Sequence, residues 1–242
     1  MGVEPRDLLA TVPPSAARLA GAAREAGLDA PVPTCPGWTV ERLVDHTGKV
    51  LRVVGRVVAT NGPVDGRTLP KPPAGALVVQ WFEEMAASTV AALDAKDPGD
   101  ELWNWAGQPP VAAFWYRRMA HELAIHGSDA VLAAGATPAI EAPVAADGID
   151  ELLTVLLPAK VAAGATDLQG VGSLHVHCTD TEGEWLVTPS SAGVDITRDH
   201  GKGDAALRGA AAPVVEAEEE LGGGEVVGDA AVVKAFTDRF RF

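Results

Sequence analysis

The sequence is poor in cysteine, in lysine and in long apolar runs, and each shortage excludes something. Its only cysteines, Cys35 and Cys178, lie far apart and lack a CxxC partner, so neither a disulfide framework nor a cysteine zinc knuckle is indicated. Six lysines and thirteen arginines form no basic run, and 33 acidic against 19 basic residues leave a formal charge of -14. That balance repels phosphate backbones and anionic lipid, which argues against nucleic-acid and membrane-surface partners. No stretch approaches the roughly 18 consecutive apolar residues of a membrane span, and the opening MGVEPRDLLA lacks a basic region followed by an apolar signal segment. The expectation is a soluble, cytoplasmic protein, monomeric or homodimeric. Abundant alanine and the excess of arginine over lysine are the composition of a GC-rich genome.

What is present is enough apolar material for a substantial core: 47% of 242 residues are hydrophobic, a length that admits two modest domains. The first two thirds carry helical periodicity broken by proline and glycine. Helices are expected over residues 5–27, with Pro13 and Pro14 kinking or restarting the first, from Thr39 as N-cap to about Thr60, over about 76–95, and over about 111–135. The prolines of DAPVPTCPGW (29–38) make that segment an extended connector. Beyond Pro143 the texture changes. SLHVHCTD (173–180), EWLVTP (184–189) and GVDITRD (193–199) alternate as strands and read as an antiparallel meander. Helical segments bracket it at about 147–163, 204–221 and 229–240. The fold class that follows is an all-α four-helix bundle over residues 1–140 and a small α+β domain with antiparallel strands over 141–242.

The fourth helix contains RRMAHELAIHGSD (117–129). At about 100° per residue, Glu122 and His126 flank Trp115 on the core side, whereas His121 falls with Arg117 and Ser128 toward solvent. On the second helix His46 lies within the apolar arc of Val53 and Val57, while Asp45, Lys49, Arg52 and Arg56 form a polar stripe opposite. A bundle can therefore bring His46 against Glu122 and His126. A buried carboxylate needs compensation, which a metal ion supplies. Two imidazoles and a carboxylate suit Zn²⁺ and leave a fourth position open. The same placement fits a metal-free alternative, in which Glu122 bonds His126 or Arg118 and His46 is an ordinary core histidine. Asp129 falls near the site, either orienting a ligand or bonding within the bundle. Cys35 reads as part of a packed turn. His175 and His177 share one strand face, opposite Leu174, Val176 and Cys178, and read as solvent-facing. Trp103 and Trp105 either line a mouth over the site or plug their loop against the bundle. EAEEE (216–220) reads as a solvated helix face.

PVPTCPGWTVERLVDHTGKV (31–50) and AAFWYRRMAHELAIHGSDAVLAAG (112–135) resemble the two signature segments of the mycothiol-dependent maleylpyruvate isomerase family, whose N-terminal domain is a DinB-like four-helix bundle. The order and spacing of the segments agree over residues 1–140, and the tail resembles the family's C-terminal domain more loosely, through Trp185 and GDAALRG. The resemblance implies that His46, Glu122 and His126 are metal ligands, normally for Zn²⁺ though another divalent metal is admissible. It also implies mycothiol as thiol cosubstrate, and a transferase or isomerase acting on a small electrophile. Two departures stand out: Gly127 and Ser128 precede Asp129 where the family often has Arg-x-Asp, and EEELGGG (218–224) replaces a Trp-Gly-Arg. The resemblance therefore implies thiol chemistry more than maleylpyruvate isomerisation itself. A bundle that binds a metal or small ligand without turnover is the alternative, and a metal-free interaction domain a third reading, in which the three side chains do not converge.

Overall fold

A computed structural model describes residues 2–212 and 224–240. Contacts between Cα atoms divide the chain into two compact units, Val3–Ala139 and a second made of Ile140–Phe242 with Met1–Gly2.

The first unit is a bundle of four helices: α1 (Pro5–Ala26), α2 (Val40–Thr60), α3 (Leu77–Asp94) and α4 (Ala112–Ala133). Pro13 and Pro14 are accommodated inside a single α1. They remove two amide donors, and burial of Leu8, Leu9, Val12, Ala16 and Leu19 holds the helix together across the gap. Thr39 caps α2 as expected, its hydroxyl accepting from Arg42 N at 3.4 Å. α1 packs on α4 and α2 on α3. Between them lie Leu43, Leu51, Phe82, Leu93, Tyr116, Met119 and Leu123, all fully buried. Each such side chain contributes about 1.5–3 kcal/mol by leaving water. Polar ties fix the register: Thr89 Oγ1 donates to Leu51 O at 2.9 Å, Tyr116 Oη donates to Lys96 O at 2.6 Å, and Arg24 pairs bidentately with Glu83 at 2.8 and 2.7 Å.

The connector between α1 and α2 is a closed loop. Pro31 and Thr39 form a β-bridge, and Val32 N donates to Trp38 O at 3.0 Å. Inside it, Trp38 N donates to Cys35 O at 2.9 Å and Gly37 sits at φ +76°. Proline then glycine at the two central positions, with the glycine at positive φ, is the type II turn that Cys35–Pro36–Gly37–Trp38 encodes.

In the second unit α5 (Ala142–Glu151) runs through a π turn (Leu152–Leu156) into α6 (Leu157–Ala162), and α7 is Ala230–Phe240. Five strands, β1 (Leu174–Cys178), β2 (Glu184–Ser190), β3 (Gly193–Thr197), β4 (Ala205–Gly209) and β5 (Glu225–Gly228), form one sheet in the order β3-β2-β1-β4-β5. The β1-β2-β3 meander is antiparallel as expected, but β4 pairs with β1 in parallel, so the sheet is mixed. This corrects the helix expected at 204–221, whose start is strand; residues 213–223, including EAEEE and most of EEELGGG, lie outside the described residues. Ala-Ala-Leu-Arg favours helix, but the open edge of β1 overrides it. Asp204 clamps the pairing: its carboxylate accepts from Ser173 N at 2.7 Å and Ser173 Oγ at 2.8 Å. Leu174, Val176, Trp185, Val187, Leu207 and Phe236 are among the core residues of this unit.

Candidate metal centre

Two helices and one loop converge on the candidate site. Glu122 and His126 lie one turn apart on α4, and His46 approaches from α2. Glu122 Oε1 is 3.4 Å from His46 Nε2 and 3.5 Å from His126 Nε2. It is buried and accepts no hydrogen bond. The other oxygen, Oε2, accepts from Arg118 NH2 at 2.8 Å. The carboxylate thus spends one oxygen on an arginine and aims the other between two imidazoles. Burial pushes its carboxyl upward, but the polar contact with His46 and the proximity of His126 and Arg118 outweigh that and hold it well below the usual carboxylate range.

A buried oxygen without a hydrogen-bond partner is costly unless something else satisfies it. Donor atoms bound tetrahedrally at the 2.0–2.1 Å typical of zinc stand about 3.3–3.4 Å from one another. The two measured separations from Oε1 match that spacing, so the residues present fit a divalent ion. Glu122 and His126 side chains retain 12% and 11% of their exposure, whereas His46 retains 40%, so the group opens to water on the α2 side.

The surroundings orient the ligands. Asp129 lies within 2.8 Å of His126 Nδ1 and is itself 2% exposed. Because a carboxylate only accepts, this contact selects the tautomer with the proton on Nδ1 and leaves the Nε2 lone pair facing Glu122. Thr34 Oγ1 donates to Asp129 Oδ1 at 2.5 Å, and the buried Cys35 thiol donates to Oδ2 at 3.7 Å. The CPGW turn thereby grips the group that orients His126, and the thiol of Cys35 is packed into that arrangement. Trp38, projected by the same turn, covers the imidazoles: its ring lies 5.1 Å from His46 and 6.5 Å from His126 between centroids. The Arg42 guanidinium stacks on Trp38 at 4.6 Å.

His46, Glu122 and His126, expected to converge, do so, and Asp129 contacts both His126 and, within the bundle, Thr34 and Cys35. Two expectations fail, and one open alternative is decided. His121 and Ser128 are 4% and 2% exposed rather than solvent-facing. A wheel assumes one buried arc, whereas α4 contacts α1, α2 and α3 and is buried around most of its circumference. Trp103 and Trp105 do not line the site. Trp103 O accepts from Trp115 Nε1 at 2.7 Å, and Trp105 packs on Phe114, eleven or more residues before His126 and so about 16 Å along the helix. His175 is 8% exposed, covered by side chains described below. Trp38 was missed as a site residue. The signal was its place in a turn whose other residues point at α4, which no periodicity detects.

Fold and site together define a two-unit protein with a candidate metal centre in its helical bundle. Residues 14–131 match the family model described as the mycothiol maleylpyruvate isomerase N-terminal domain. These residues are thus a domain of the mycothiol-dependent maleylpyruvate isomerase family. A crystal structure of the mycothiol-dependent maleylpyruvate isomerase superimposes with a TM-score of 0.61 at 14% identity, covering 94% of this chain and 95% of that one. The structure of a histidine-to-alanine variant of the isomerase gives 0.60 at 13% identity over the same shares. At these identities the likeness is one of fold. No curated protein matches the chain at a significant level. Among the described residues, no helix is long and apolar enough to cross a membrane.

Proposed function

We propose that the bundle holds a divalent transition metal ion, Zn²⁺ foremost, on His46, Glu122 and His126, and that the protein is an enzyme using mycothiol on a small electrophile, as a transferase or isomerase. The observation that carries this reading is the partnerless Glu122 Oε1 between two Nε2 atoms at 3.4 and 3.5 Å. Three protein ligands leave a coordination position open, and exposure of His46 places it within reach of solutes. When bound, the ion lowers the pKa of a thiol at that position so that it is nucleophilic at neutral pH.

The chain's own residues bind, orient and shield. Asp129 fixes the His126 tautomer, Arg118 restrains the second Glu122 oxygen, and the Trp38 ring packs against both imidazoles. A separate 720 Å³ cleft along α2 and the following loop is lined by Arg42, Lys49, Arg52, Arg67 and Lys71 together with Glu41 and Asp45, and by none of the three candidate ligands.

A non-catalytic metal- or ligand-binding bundle is the second reading, and the open side at His46 favours the enzyme over it. The test is metal content of the purified protein by elemental mass spectrometry beside a His126→Ala variant, followed by conjugation and isomerisation assays with mycothiol and a panel of small electrophiles. About one equivalent of zinc lost in the variant, together with mycothiol-dependent turnover, supports the reading. Metal without turnover favours the binding protein. A bundle that takes up no metal after reconstitution overturns both metal readings and leaves the metal-free arrangement, in which Glu122 pairs with Arg118 beside the two histidines.

A further inference from the structure

The second unit contains another convergence of ligand-type side chains, on the sheet face opposite its apolar core. The register pairs His175 with Leu186 and His177 with Glu184, so His175, His177 and Glu184 share one face of β1 and β2. The loop after β3 folds back over that face. Arg198 anchors it through Asp150, Nε to Oδ1 at 2.6 Å. Gly201 passes so close to β2 that a Cβ there would meet Leu186 Cδ2 at 2.8 Å. Between these two points the loop delivers His200.

Glu184 Oε2 accepts from His200 Nδ1 at 2.9 Å and lies 3.7 Å from His175 Nε2. The other oxygen, Oε1, is engaged by His177 Nδ1. The His175 and His200 rings stand edge to face, 5.3 Å between centroids. Donor atoms of His175, Glu184 and His200 all lie within 4.8 Å of one another. The independent sign of a ligand is His175 itself. It is 8% exposed, and its Nε2 is buried without a hydrogen-bond partner while aimed at Glu184 Oε2. A partnerless imidazole nitrogen at the bottom of a cluster of two further histidines and a carboxylate is a ligand atom awaiting an ion.

We propose that the C-terminal unit carries a second divalent-metal site, with His175, Glu184 and His200 as ligands and His177 positioning the carboxylate. Imidazole and carboxylate donors select a borderline transition metal such as Zn²⁺ over calcium or magnesium. His175 supplies the inner ligand and the exposed His200 the outer one, so the ion enters from solvent and staples the loop to the sheet. The site shares no residue with the bundle centre and does not depend on it.

The test is calorimetric titration of Zn²⁺ into the metal-stripped full chain carrying His46→Ala and His126→Ala, which removes the bundle ligands. One equivalent binding with micromolar Kd is expected. Adding His200→Ala, a change at a side chain 82% exposed and therefore compatible with folding, should weaken it at least thirtyfold, with the far-ultraviolet circular dichroism unchanged. Cobalt(II) absorption in the visible region should show the same loss. Zinc binding no tighter than millimolar in the double variant, or equal binding with and without His200→Ala, would overturn the proposal.

Discussion

Asp129 sits three residues after His126 on α4, with its Oδ2 2.8 Å from the imidazole Nδ1. The pair is buried, and the loop residues Thr34 and Cys35 hold the carboxylate from the other side. Orientation of His126 is thus shared between α4 and a loop ninety-odd positions earlier in the chain, where the turn chemistry of proline and glycine is encoded.

Asp129→Asn keeps the shape and removes the charge that favours the Nδ1 proton. Zinc affinity of the bundle site should fall about 10–100-fold with the stoichiometry unchanged. Competition against a chromophoric chelator measures it, and an unaltered affinity would show that Asp129 serves packing alone.

Arg118→Met leaves the Glu122 carboxylate buried without its cation. Breaking a buried pair from one side costs about 3–5 kcal/mol, so metal-free protein should unfold at markedly lower urea. Zinc should restore part of the loss, because it compensates the same carboxylate. Urea transitions with and without chelator make the comparison, and equal losses in both would separate Arg118 from the metal site.

Two helical glycines should respond with opposite signs. A Cβ on Gly48 in α2 would meet Trp81 Cζ3 at 2.3 Å, and that ring is held under Arg52. Overpacking costs about 1–3 kcal/mol, offset by about 1 kcal/mol of helix propensity, so Gly48→Ala should destabilise by about 1 kcal/mol. Gly21 in α1 has nothing within 4 Å of the built Cβ. Gly21→Ala should stabilise by about 0.5–1 kcal/mol. Denaturant melts of the two variants decide the matter.

Burial, aided by Asp180, pushes the Cys178 thiol up to about 11. Its thiolate fraction at pH 8 is then about a hundredfold below that of an unfolded cysteine. Alkylation by iodoacetamide, followed by peptide mapping, should label Cys178 slowly in native protein and fast in urea. Rapid native labelling would contradict the burial.

The bundle was legible because its helices are bounded by prolines, a threonine cap and glycine-rich loops, and because His46, Glu122 and His126 break apolar arcs where a polar side chain needs a reason. The wheel misplaced His121 and Ser128, since a helix touched by three others has no single wet face. At β4 the sequence Ala-Ala-Leu-Arg favours helix locally, and only the long-range partner β1 makes it a strand. His175 looked exposed for a similar reason: alternation assigns it to a face, but not the loop bearing His200 that covers that face. Trp38 was invisible because a turn, not a period, aims it.

The hold of Arg118 on one oxygen of Glu122 has a bearing on which ions the bundle admits. With Oε2 engaged at 2.8 Å, the carboxylate has a single oxygen to offer and cannot chelate. Calcium seeks six to eight oxygens and magnesium an octahedral, largely hydrated shell. In the proposed site two nitrogens and one oxygen meet neither demand, so alkaline-earth ions would compete poorly for it, and an arginine outside the coordination shell would contribute to that discrimination.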